Sequence, residues 1–69
     1  MYRLMRSAKF TLYHTVSGPM SSYRQSLVGH FRQSRAAIGA CRVANSSSPD
    51  RYYVLNELGQ EYFRGFWID

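Results

Sequence analysis

The chain has 69 residues, nine lysines and arginines against four acids, a net charge of +5 and a single cysteine. That describes one small domain, residues 1–69, whose core is worth about 3–5 kcal/mol of net stability. The lone Cys41 excludes an internal disulfide and a cysteine-rich zinc site. Residues 1–49 hold seven cations and no acid, while all four acids, Asp50, Glu57, Glu61 and Asp69, fall in the last 20. So lopsided a field draws polyanions or acidic protein surfaces.

In chain order, Leu4, Met5, Ala8, Leu12, Tyr13 and Val16 have the three-to-four spacing of a helix. Over residues 9–16, however, Phe10, Leu12, His14 and Val16 alternate with Thr11, Tyr13 and Thr15 as in a strand, so both readings stand. Ser17-Gly18-Pro19 predicts a break, because proline cannot continue a helix, and Ser21 and Ser22 are good N-caps for a helix beginning there. From Tyr23, the positions of Leu27, Val28, Phe31, Ala36, Ala37 and Ile38 predict helix, with Gly29-His30 either a turn between two short helices or a tolerated interruption. Residues 38–44 are small and β-compatible and read as a strand. Residues 45–50 read as a polar loop and Arg51–Leu55 as the strongest strand, so a hairpin joins the two strands. From Asn56 to Asp69 two readings compete: a helix capped by Asn56, or a tight turn at Leu58-Gly59-Gln60 leading into a strand over residues 61–68.

The segment from Tyr53 to Phe63, Tyr-Val-Leu-Asn-Glu-Leu-Gly-Gln-Glu-Tyr-Phe, resembles the Y-x-L-T-x-x-G signature that closes many winged helix-turn-helix DNA-binding domains. Asn56 stands where threonine is usual in that pattern. Upstream, Leu12 to Tyr23 resembles the family's first helix and the break after it, and residues 45–50 its wing. The order of elements also resembles the small T7-like phage proteins that inhibit bacterial RNA polymerase carrying the stationary-phase sigma factor. The resemblance implies an α+β fold, a small winged helix-turn-helix-like domain with a β-hairpin wing. The alternative is a β-α-β-β-β sheet covered by one helix, with that helix over residues 21–37.

Arginine outnumbers lysine eight to one, and guanidinium forks suit phosphates and base edges. Arg32, Gln33 and Arg35 are the foremost candidates for DNA contact, because arginine and glutamine pair two-pronged with guanine and adenine. Arg24 and Gln25 at a helix start serve as backbone contacts. Arg42 and Arg51 on the expected hairpin reach phosphates, and their mutual repulsion as cross-strand neighbours would be relieved by an anion. Two partner classes fit this charge: DNA, or an acidic host protein such as RNA polymerase, a sigma factor or a defence nuclease. Trp67, with Phe63 and Phe66, reads as core closure, and the aromatic C-terminus is also where two copies would pair as a homodimer.

His14 and His30 have no acid near them in sequence, and Cys41 has no neighbouring histidine. No enzyme, metal or cofactor is therefore expected. No apolar run approaches the ~20 residues needed to cross a bilayer, and residues 1–5 begin no long apolar stretch, so the expected protein is soluble and cytoplasmic, in the host cytoplasm if viral, with no membrane partner.

Overall fold

The computed structural model describes residues 1–14 and 18–69, with side chains described for 1–9 and 22–69. The elements are β1 (Tyr2–His14), β2 (Gly18–Phe31), α1 (Ser34–Ser47), β3 (Arg51–Leu55), β4 (Glu61–Phe63) and β5 (Phe66–Ile68). They form an antiparallel five-stranded sheet in the order β2-β1-β3-β4-β5, with α1 on one face. The class is α+β.

Several expectations are corrected. The helical stripe expected over residues 3–16 is not formed: Tyr2–His14 is strand, so the strand reading of residues 9–16 is the one met as far as His14, and the strand begins well before it. The helix expected from residue 21 is strand as far as Phe31, and the strand expected over 38–44 lies inside α1. No hairpin wing therefore joins 38–44 to 51–55, and the two helices that a helix-turn-helix needs are not formed between 21 and 38. A sheet covered by one helix is the nearer description, with the helix moved to Ser34–Ser47 and five strands in place of four. Gly18 and Pro19 open β2 rather than ending an element. Thr15, Val16 and Ser17 lie outside the described residues, as do the side chains of Leu12, Tyr13 and Ser21.

The β1–β2 hairpin is longer than its support. Its pairing runs from Tyr2↔Phe31 to His14↔Gly18, whereas β3 pairs with β1 only from Arg3 to Ser7. Beyond Ser7 the hairpin continues as a two-stranded ribbon, which gives the molecule its long dimension of 46 Å against 26 and 20 Å. Between Leu4 and Met5 the register shifts from Gly29 to Leu27, so Val28 is the extra residue of a bulge.

The core lies where β1 and β3 pass beneath α1. Ala37 is fully buried, Val54 is 1% exposed and Leu4 4%, and Tyr2, Phe31, Ala40, Cys41, Tyr52, Tyr62 and Trp67 pack around them. Ala37, Ala40, Cys41 and Ala44 recur at helical spacing, and such small side chains let the helix settle close to the sheet. Trp67 closes the core, stacked on Tyr2 at 5.5 Å and edge-on to Tyr62 at 5.3 Å. Its expected companions Phe63 and Phe66 instead stay exposed.

β3 meets β4 only at Leu55↔Glu61, which leaves the backbone of Tyr52 without a strand on that side. Asn45 takes its place: its Nδ2 donates to Tyr52 O at 3.1 Å and its Oδ1 accepts from Tyr52 N at 2.8 Å. Asn45→Ala is therefore expected to lower stability by about 1–2 kcal/mol, read as a shift in the urea midpoint. A shift below ~0.3 kcal/mol would show that solvent replaces both bonds without cost.

The turns before and after β4 are set locally. Asn56 Oδ1 accepts from the backbone N of Leu58 and Gln60, at 3.0 and 2.9 Å, and Gly59 adopts φ +79°. Of the two readings of residues 56–69, turn and strand is the one formed, with the expected strand split into β4 and β5, and Asn56 holds the turn rather than capping a helix. Between β4 and β5, Arg64 (φ +51°) and Gly65 (φ +92°) make a two-residue hairpin connection flanked by the pair Phe63↔Phe66. Positive φ at both positions marks the primed turn that favours Asn-Gly, and a residue with a Cβ costs about 1–2 kcal/mol there.

Candidate nucleic-acid interface

The charge asymmetry of the sequence is sorted by folding. Asp50 accepts from Arg6 Nε at 2.7 Å and Nη2 at 2.5 Å, and this bond raises the pKa of Arg6. Glu61 pairs with Arg51 Nη2 at 2.5 Å. Glu57 bonds the amine of Met1, which lowers the carboxyl's pKa. Three of the four acids are thus engaged with cations within the chain.

The candidate residues divide between the two faces of the sheet. Arg24 pairs with Ala8 in register, on the face that carries α1. Arg32 and Gln33 form the bend from β2 into α1, and Arg35 lies in the first helical turn. Arg42 lies two helical turns beyond Arg35, on the same side of α1, and both are exposed, Arg42 at the edge that meets the β4–β5 hairpin. Arg32, Arg35 and Arg42 have no ion pair to a carboxylate among the described residues. Arg24, Arg35 and Arg42 consequently lie on the helix-bearing side, and Arg32 sits at the bend that leads into the helix. Arg42 is on the helix, not on a wing, so the expected cross-strand repulsion between Arg42 and Arg51 does not arise.

The start of α1 is electrostatically unusual. Gln33 occupies the N-cap with extended backbone and no side-chain capping bond, and the first turn holds no acid. Four backbone N–H groups and the positive end of the helix dipole thus face Arg32 and Arg35. Like charge there is unfavourable until an anion arrives.

The other two candidates lie on the opposite, uncovered face. Gln25 donates to Ser7 Oγ at 3.0 Å and accepts from the Tyr53 hydroxyl at 2.6 Å, a polar strap across β2, β1 and β3. Arg51 is engaged by Glu61, and its guanidinium lies 4.9 Å from the Tyr53 ring centre. Both have structural partners; Gln25 stands apart from the helix-side arginines, whereas Arg51 borders the gap between β3 and β4 that Arg42 also lines.

Cys41 donates to Tyr52 O at 3.2 Å, and burial pushes its thiol pKa up, which disfavours the reactive thiolate. Among the described residues no three metal-ligating side chains cluster, and no helix is long and apolar enough to cross a membrane.

Sequence reasoning passed over two residues of this surface chemistry. Lys9 lies on the ribbon opposite Tyr23, and Arg64 occupies the β4–β5 turn with its guanidinium 5.2 Å from the Phe63 ring centre. The Arg-Gly pair between two aromatic runs was the signal for Arg64. No family model, curated protein or solved structure matches the chain.

Proposed function

We propose that the chain is a non-enzymatic, basic nucleic-acid-binding or transcription-modulating accessory protein of phage or mobile-element type. Its contact surface is the helix-bearing side, with Arg24, Arg32, Arg35 and Arg42 on phosphates. The observation that carries this reading is the internal use of Asp50, Glu57 and Glu61, which leaves Arg32, Arg35 and Arg42, at and along α1, without a carboxylate partner among the described residues. The uncapped start of α1 supports it, since helix N-termini favour anions. The projecting ribbon, bearing Lys9 and Arg24, has the width of a two-stranded element that a major groove admits. A winged-helix mode of contact, with helix and hairpin both on DNA, would correspond here to α1 and that ribbon.

Fluorescence anisotropy on a labelled duplex, repeated across a salt series, tests the proposal. Three or four phosphate contacts give a log–log slope of about −2.7 to −3.6, or about 40- to 150-fold weaker binding from 50 to 200 mM salt. No binding to duplex or single strand at ~50 mM salt, where the counterion term is large, would end the proposal.

A second reading rests on a specific observation. Val43, next to Arg42 on α1, is an exposed apolar side chain among these arginines. A basic surface with apolar residues suits an acidic protein, such as the RNA polymerase or defence nuclease of the inhibitor reading. Capture of such a protein from a bacterial lysate, persisting after nuclease treatment, favours this reading over nucleic acid.

A further inference from the structure

Between α1, β3 and the β4–β5 hairpin lies a cleft of about 370 Å³. It forms because β4 pairs with β3 only at Leu55↔Glu61 and the two strands make no further ladder contact. Its volume is at the lower end of the range for small-ligand sites, about 300–1,000 Å³. Arg42, Arg51 and Arg64 all line it, with Glu61 the one carboxylate, already engaged by Arg51. Among the described residues, Arg42 and Arg64 have no carboxylate partner. Tyr62 and Phe63 supply aromatic surface beside them.

Arg64 gives the cleft a second, independent mark. Its backbone is held at φ +51°, in a turn where asparagine or glycine sits without strain. Strained positions persist where the side chain is needed or the surroundings compel it, and the exposed two-residue turn compels nothing by packing. What arginine offers there, and asparagine does not, is a forked cation at the mouth of the cleft, beside the Phe63 ring.

We propose that this cleft binds one nucleotide, with its phosphate on Arg42 and Arg64 and its base against Tyr62 or Phe63. The inference deepens the nucleic-acid reading above and rests on it for the polymeric source of that nucleotide. A free mononucleotide carries the same phosphate and base, so both sources are tested.

The experiment titrates the labelled protein with inorganic phosphate, a mononucleotide and an oligothymidylate of about ten nucleotides, a length within single-strand site sizes. Amide shifts of residues 41–42 and 62–65 report the cleft. The expected result is binding of both nucleotide probes with shifts at those residues, and weaker binding of phosphate alone. Arg42→Gln and Arg64→Asn should each weaken nucleotide binding about tenfold, as loss of a charge-assisted bond does. Arg64→Asn should at the same time raise Tm, because asparagine suits the turn, so its loss of binding cannot be ascribed to unfolding. If both variants bind as the parent does, the cleft assignment is overturned even where the oligonucleotide still binds. Mononucleotide binding at the cleft with no binding of any polymer overturns the nucleic-acid reading and upholds the cleft. Binding of none of the probes overturns the cleft assignment, and if the labelled duplex also fails to bind at ~50 mM salt the nucleic-acid reading falls with it.

Discussion

Leu4→Ala is expected to leave most of the protein unfolded at 37 °C. Leu4 sits at the centre of the fold, paired with Gly29 on β2 and Val54 on β3 and packed in one cluster with Ala37. Its neighbours cannot fill the space its side chain would vacate, since Gly29 has no side chain and Ala37 only a methyl group. A Leu→Ala change at such a site costs about 2–5 kcal/mol, against about 3–5 kcal/mol for the whole domain. Urea unfolding followed by near-ultraviolet circular dichroism of Trp67, which reports the stacked Tyr2–Trp67–Tyr62 cluster, checks this. Val43→Ala is the internal contrast: Val43 is 68% exposed on the outside of α1, and its loss should change stability by less than ~0.5 kcal/mol. A Leu4→Ala cost below ~1 kcal/mol would place the core elsewhere.

The same geometry explains which elements could be read from the sequence. Arg51–Leu55 is a strand in both, because Tyr-Tyr-Val-Leu favours the pleated conformation wherever it is placed. β2 was hidden by its own bulge. Leu27 and Phe31 look like one helical stripe, but the extra residue Val28 reverses the alternation, so the two side chains lie on opposite faces of a strand. α1 was hidden for another reason. Its buried stripe consists of Ala37, Ala40, Cys41 and Ala44, which carry little hydrophobic signal. Its last turn is serine-rich and reads as loop, yet Ser46 and Ser47 hydroxyls donate to Val43 O at 2.8 and 3.1 Å and close the helix.

For the site, the charge imbalance was plain in the sequence, but its resolution was not. That Asp50 meets Arg6, 44 residues away, and that Gln25 serves a strap with Ser7 and Tyr53 rather than projecting outward, depend on strand register alone. Arg32 and Arg35 lie at the start of α1 rather than on a recognition helix within 21–38, which changes the chemistry available to them. They act beside unsatisfied backbone donors.

Arg32→Gln with Arg35→Gln should therefore move stability and binding in opposite directions. Arg35 in the first turn and Arg32 just before the N-cap both oppose the positive end of the α1 dipole, at a helix start with no acid and no cap bond. Removing one such charge gains about 0.3–1 kcal/mol, so the double variant should melt a few degrees higher. If both side chains contact phosphates, the salt slope falls by about 1.8 and affinity at ~0.1 M salt drops about 60-fold. A single measurement of either kind leaves room for other causes, since a misfolded variant also loses affinity and many surface changes raise Tm slightly. The opposed signs do not. A variant that melts higher and binds as tightly as the parent, with an unchanged salt slope, would remove Arg32 and Arg35 from the interface and leave the helix start as a strained end with no ligand.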